Sequence, residues 1–514
     1  MSLVAANEAP ETQKFRSQVG HISRHSGVFF VGTIFTAGFG YLFKVYLARV
    51  LGAETLGVYA LGLTMVGFAG LLNSLGLTES AVRFAADYRA TGKLESLRAL
   101  LFRGGAILLI ANVVFFFAFL AAGKPLALRF YHSSALGGYV PWFAGIMLLG
   151  VITSFYGKIL AGYRAVGQRT LINNFIGTPA TILFSVLLIS LRYGLRGYLM
   201  AQIVSAIVVL TLLGATIWRD TPLEARHLRP FPQRLEPAVW SFSLAAIANL
   251  LLEFLLAHFD KVALGFYLGA AKVGVYSVAA GMVAYESLVL TSVNQVFSPM
   301  IADLHARHDL AMLGRLYRAL TKWVLGITLP LTITVIVFAR PLMRIFGNDF
   351  EAGWPILIIG TAGQLVNCAV GSVGVLLWMS GNQRVLLRVQ AAMAAFMVIA
   401  NVALIPVWGI VGAAVAAAVT NVGTNALNLI AVRKVLGLSP FSRSMAGLVP
   451  SAFACAVLAI LVFRESGRIG HNWLAIVMAL LAAYGAFAIT TVAFGLDADD
   501  RLVLGAIRSR LTRS

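Results

Sequence analysis

Long apolar runs alternate with short polar connections along this chain, and an α-helix needs about 20 such residues to cross a hydrocarbon core. Fourteen runs are long enough, over 27–48, 56–78, 99–122, 139–161, 172–192, 196–218, 238–260, 273–296, 321–340, 353–378, 385–407, 410–432, 446–464 and 473–495. Pro125, Pro341 and Pro440 fall in connections, whereas Pro179 and Pro299 fall inside or at the end of runs, where proline kinks or stops a helix. The stretches 79–98 and 298–320 are the longest connections apart from 219–237, and their amphipathic pattern predicts interfacial helices. No connection is large enough for a soluble catalytic domain.

One pattern occurs twice. Residues 44–59 read KVYLARVLGAETLGVY and residues 261–276 read KVALGFYLGAAKVGVY, with nine of sixteen positions identical at a shift of 217. Each copy joins the end of one run to the start of the next. Gln168-Arg169 and Gln383-Arg384 form a second pair, and Gly194-Leu-Arg-Gly197 and Gly409-Ile-Val-Gly412 a third, both shifted by 215. Six helices separate one copy from the next, an even number, so both repeats enter the membrane from the same side. The expected architecture is therefore an all-α polytopic membrane protein of about 14 transmembrane helices. It consists of two parallel six-helix repeats plus two C-terminal helices. The expected divisions are a cytoplasmic N-terminal segment 1–26, a first six-helix bundle 27–218 and a basic linker 219–237. A second six-helix bundle 238–432, helices 13 and 14 within 446–495 and a basic cytoplasmic tail 496–514 complete the chain.

Composition agrees with this pattern. The 514 residues are 59% hydrophobic and 12% charged, with mean hydropathy +0.86, against about 25% charged residues in soluble domains. The net charge of +20 suits cytoplasmic loops better than nucleic acid. With the N-terminus inside, the inner segments carry 27 lysines and arginines and the outer ones 11, while Lys44 and Lys158 lie within helices, which completes the 40. Both termini are thus expected in the cytoplasm. The first run has no small-residue cleavage site after it and reads as an uncleaved helix. Cys368 and Cys455 have no metal-binding or disulfide spacing, and no phosphate-binding Gly-x-x-x-x-Gly-Lys-Ser/Thr is present.

The informative residues are ionisable groups at membrane depth, each costing about 2.5–3.5 kcal/mol at a helix centre on insertion scales. Lys44 and Lys261 recur in the two repeats; they either snorkel to headgroups or line a cleft as a symmetric pair of cations. Glu253 and Asp260 in the seventh helix and Glu286 in the eighth are either satisfied structural residues or sites for a coupling H+ or Na+. Lys158 lies near enough to the cytoplasmic end of its helix to snorkel. Glu79 and Arg83 have the spacing of an i,i+4 ion pair. Arg83 also belongs to a basic group with Arg89, Lys93, Arg98 and Arg103 that suits an anionic headgroup. Tyrosines and tryptophans such as Tyr59, Tyr276 and Trp378 mark interfaces or stack on sugars.

The stretch 49–84 resembles the N-terminal signature of polysaccharide-transport proteins, the oligosaccharide flippases of the multidrug/oligosaccharidyl-lipid/polysaccharide exporter superfamily. The residues are Arg49, Leu51, Gly52, Gly57, Tyr59, Gly76, Leu77 and Arg83. The second half repeats the theme with Asp260-Lys261, Leu268-Gly269, Gly274 and Tyr276, and with Pro299 closing the eighth helix. The resemblance implies two six-helix bundles around a partly cationic cavity. It also implies translocation of undecaprenyl-pyrophosphate-linked oligosaccharide to the periplasmic leaflet of a bacterial inner membrane. Lys44, Lys261, Arg49, Arg83 and Lys158 then become candidates for the pyrophosphate and glycan. The implied partners are the lipid-linked oligosaccharide, membrane lipids, and a polysaccharide polymerase with its chain-length machinery. The lipid tail is expected beside helices 13 and 14. Peptidoglycan-precursor flippases and cation-coupled drug exporters of the same superfamily are the alternatives. A membrane glycosyltransferase is disfavoured, because the outer acids, notably Glu54, Asp349, Glu351 and Glu465, lie in short segments.

Overall fold

Apolar helices dominate because every backbone polar group at membrane depth has to be satisfied within its own segment. The computed structural model describes residues 10–163, 166–221, 234–469 and 473–495, and no strand occurs among them. The first half contains α1 (Pro10–Asn73), α2 (Leu77–Ala90), α3 (Leu94–Arg98), α4 (Gly105–Arg129), α5 (Ser134–Gly162), α6 (Val166–Thr170), α7 (Thr178–Ser190) and α8 (Gly194–Asp220). The chain continues with α9 (Pro237–Leu268), α10 (Ala270–Glu286), α11 (Leu288–Ala306), α12 (Leu310–Val337) and α13 (Ala339–Arg344). Then follow α14 (Trp354–Val370), α15 (Val373–Met379), α16 (Gln383–Trp408), α17 (Ile410–Leu436), α18 (Leu448–Ile469) and α19 (Trp473–Gly495). Most of the expected linker and the whole C-terminal tail lie outside the described residues.

Eleven described helices are long and apolar enough to cross a membrane, or twelve if the pair Ala270–Glu286 and Leu288–Gln295, bent by 45°, is one span. The runs 27–48 and 56–78 lie on either side of a break at Gly52, where the backbone is non-helical, and the last run, 473–495, is helix α19. The helical structure expected within 298–320 is present as the end of α11 and the start of α12, the latter capped by Asp309, which accepts from the Met312 N–H at 3.0 Å. Pro299 does not close its helix: α11 continues to Ala306, held by the buried face of Phe297, Ile301 and Leu304.

The helices gather into two compact units. One comprises residues 46–277 with 401–410, and the other residues 1–45, 278–400 and 411–514.

In the 46–277 unit, the core joins Leu77 and Tyr88 of α2 to Phe155 and Ile159 of α5 and Leu213 of α8. Ser80 and Ser243 share a hydrogen bond of 2.6 Å, and the Ser96 hydroxyl donates to Glu236 at 2.9 Å, so α2 and α3 hold the start of α9. Burial, and then the neighbouring Glu236 carboxylate, hold the Tyr88 phenol well above its ordinary range.

The sequence repeat is also a backbone repeat. Gly52 has φ 77° and ψ 171°, and Gly269 has φ 77° and ψ 179°, a conformation essentially restricted to glycine. Gly194 and Gly409 match in the same way, with φ 52° and 59°. The two copies also pack reciprocally. A Cβ added to Gly57 would sit 1.7 Å from the Ala270 carbonyl oxygen, and one added to Gly274 would sit 1.9 Å from that of Ala53.

In the other unit, Phe297, Leu313, Tyr317, Leu376 and Val432 form the main core. Leu448, Cys455, Ala483 and Phe487 form a second cluster against Leu325 and Leu329, which attaches α18 and α19 to α12.

Candidate functional site: a polar cavity beside an apolar one

In the 46–277 unit, the second part of α1, the start of α2, and α5 and α9 line an open cavity of about 410 Å³. Glycines 67, 70 and 150 line it and leave room where larger side chains would fill the gap between helices. Its polar wall consists of Ser74, Thr78, Glu79, Ser154, Glu253 and His258. Glu253 accepts from the Asn249 amide at 2.8 Å, one turn earlier in α9. The His258 ring lies 5.3 Å from that of Phe254. Lys158 donates to both Glu79 oxygens at 2.9 Å. The wall therefore presents two carboxylates, one of them neutralised, with an imidazole and three hydroxyls. Such groups accept hydrogen bonds from sugar hydroxyls or hold a small cation.

This placement alters the reading of three candidates. Glu79 meets Lys158 from α5 rather than Arg83 in its own helix. Arg83 lies over the Phe242 ring at 4.8 Å and is exposed. Lys158 is engaged by an acid rather than reaching outward alone. Asp260 is buried, at 5% exposure. It accepts from the Tyr276 hydroxyl at 2.6 Å and from the Lys261 N–H at 2.7 Å. The Lys261 ammonium donates to Asp260 at 3.3 Å and to the Ala257 carbonyl at 3.1 Å. Arg49 is exposed.

In the other unit, Lys44 lies over the Tyr285 ring at 5.1 Å, and Tyr41 sets its edge against Tyr285 and Phe346. Glu286 is 7% exposed. Its Oε1 accepts from Thr332 at 3.2 Å, and its Oε2 has no hydrogen-bond partner among the described residues. Glu351, one of the acids expected on the outer side, is clamped by Arg340 at 2.6 Å and Arg344 at 2.7 Å, an arrangement for structure rather than for acid–base chemistry.

His258 and Glu79 were not singled out as cavity residues by sequence reasoning. The spacing of His258 offered a clue, since Glu253 and Ala257 line the same face of α9. For Glu79 there was none, because its partner lies 79 positions away.

The chain is a multi-pass helical membrane protein with charged and hydroxylic groups lining a cavity among its helices. The family model described as "Polysaccharide biosynthesis protein" matches residues 22–305, more than half of the chain, and the protein belongs to that family. Among curated relatives, the succinoglycan biosynthesis transport protein ExoT of Rhizobium meliloti is 24% identical, over 70% of this chain and 71% of its own. The probable low-salt glycan biosynthesis flippase Agl15 of Haloferax volcanii is 21% identical over 78% and 81%. Among solved structures, the lipid II flippase MurJ in an inward closed conformation superposes with TM-score 0.70 at 13% identity, over 91% of this chain and 98% of that one. The chain therefore shares the fold of that flippase structure.

Proposed function

We propose that this protein is a flippase that carries an undecaprenyl-pyrophosphate-linked oligosaccharide from the cytoplasmic to the periplasmic leaflet for cell-surface polysaccharide synthesis. The observation that carries this reading is the family match over residues 22–305, a span that contains every residue of the polar cavity. The relatives named as a polysaccharide transport protein and a glycan flippase support it. The glycan crosses among the hydroxyls and carboxylates, which replace its water. The pyrophosphate is held by the cations Lys44, Lys261 and Arg49, with Arg83 and Lys158 nearer the cytoplasmic entrance. Transport proceeds by alternating access between the two six-helix repeats, both termini being cytoplasmic. A coupling H+ or Na+ binds at Glu253 or Glu286; Asp260, saturated by Tyr276 and Lys261, positions Lys261 instead. A polysaccharide polymerase and its chain-length machinery would receive the product.

The test is translocation of a fluorescent undecaprenyl-pyrophosphate oligosaccharide in proteoliposomes by wild type, Lys44→Ala, Lys261→Ala and the double variant. Flipping by wild type and a tenfold or greater loss in the double variant are expected. Lysine variants that match wild type would leave the flippase and remove the cationic site. A wild type that moves lipid II or small organic cations instead would replace the proposed substrate.

A further inference from the structure

Next to the polar cavity lies a second one of about 430 Å³, in the same unit, between the second part of α1, α4 and α9. The two share Phe254 as a common wall. That ring packs against Phe68 at 5.5 Å on one side and His258 at 5.3 Å on the other. Helix α9 is correspondingly two-faced. Leu250, Glu253, Ala257 and His258 line the polar cavity, whereas Leu255, Phe259 and Val262 line the apolar one.

This second cavity is lined by aromatic rings and small side chains. Its walls are rich in aromatic rings, including Phe68, Phe115, Phe119, Phe130, Tyr131 and Phe259. The small side chains of Ala118 and Ala122 in α4 recess its floor. Rings present polarisable faces to carbon–carbon double bonds, and a floor recessed at intervals accepts methyl branches. The volume falls within the range of about 300–1,000 Å³ typical of ligand pockets. The occupant that fits has a repeating unsaturated, methyl-branched chain and a polar head that sits one ring away.

We propose that this apolar cavity is a binding site for the isoprenoid chain of the lipid-linked substrate, engaging the part next to the phosphate while the glycan occupies the polar cavity beyond Phe254. The inference rests on the flippase reading. It moves the tail from the expected groove beside helices 13 and 14 to a site among α1, α4 and α9.

The experiment is photolabelling of the full-length wild-type protein in proteoliposomes with a diazirine-bearing polyprenyl phosphate, mapped by peptide mass spectrometry. The expected labels fall on residues 115–131 and 254–262. Unlabelled polyprenyl phosphate should suppress them at least fivefold, and the same concentration of phosphatidylglycerol less than twofold. Ala122→Trp, which fills the floor, should lower labelling about tenfold, with Ala122→Leu intermediate; because the wild-type label is decisive by itself, poor folding of either variant does not rescue the proposal. Equal displacement by phosphatidylglycerol, or labels confined to α18 and α19, would overturn it. Flipping assayed in the same vesicles separates the two readings. Flipping without the specific label removes the tail site and keeps the flippase, whereas a specific label without flipping keeps the site and removes the transport function.

Discussion

Glu79 and Lys158 set the electrostatics of the polar cavity at the residue scale. An exposed i,i+4 pair within one helix contributes only about 0.3–0.5 kcal/mol. Here the acid instead reaches across to another helix and meets an ammonium with both oxygens, at side-chain exposures of 27% for Lys158 and 32% for Glu79. A double-mutant cycle on Glu79→Gln and Lys158→Met is expected to show a coupling of about 0.5–1 kcal/mol, at the upper end for partly exposed pairs. The corresponding cycle on Glu79 and Arg83 should show almost none, since the Arg83 guanidinium lies over Phe242. Denaturation of the purified protein measures both. A larger coupling to Arg83 than to Lys158 would mean that the pairing described here does not form in solution.

At the scale of elements, the repeated stretch acts through glycine. Gly57 and Gly274 each press against a backbone carbonyl of the other copy, and a carbonyl within a helix cannot move aside as the end of a side chain can. Overpacking a tight site costs about 1–3 kcal/mol. Gly57→Ala and Gly274→Ala should therefore each lower the thermal midpoint by several degrees, and by similar amounts, because the contacts are reciprocal. Gly138→Ala in α5, where an added Cβ meets nothing within 4 Å, should be neutral or stabilising through helix propensity. Unfolding in detergent, followed by circular dichroism, checks all three; if Gly57→Ala and Gly274→Ala behave like Gly138→Ala, the two copies do not pack as described. The repeat was legible because identical residues serve identical backbone needs, Gly52 with Gly269 and Gly194 with Gly409. The helices were legible because apolar length alone defines them. The bond of Tyr276 to Asp260 and the bond of Lys158 to Glu79 were not, because tertiary packing chooses such partners and a pattern of one helix does not contain them. The same limit explains why α9 read as one apolar run carrying stray charges. Only the packing of α1 and α5 on one side and α4 on the other shows that it lines two cavities of different polarity.

At the scale of the whole molecule, the proposed coupling of transport to H+ or Na+ is tested most directly at Glu286. Keeping a carboxylate at membrane depth costs about 2.5–3.5 kcal/mol on insertion scales. A structural acid recovers that cost by saturating both oxygens, as Asp260 does with Tyr276 and Lys261. Glu286 does not: Thr332 serves one oxygen at 3.2 Å and the other is unpartnered among the described residues. A bound proton or sodium ion would complete it. Glu286→Gln keeps the shape and removes the ionisable group. It is expected to leave thermal stability unchanged or raised, since a buried charge is lost. Flipping down a substrate gradient should stay within about twofold of wild type, a margin of roughly 0.4 kcal/mol at 1.4 kcal/mol per factor of ten. Under the proposed coupling, an imposed proton or sodium gradient should accelerate flipping by wild type and not by Glu286→Gln. Proteoliposomes loaded with opposed gradients measure all of this in one preparation. If Glu286→Gln retains the full response to the ion while Glu253→Gln loses it, coupling belongs to the polar cavity in the same unit as the proposed glycan path. Ion and substrate would then share one set of carboxylates instead of acting from separate units.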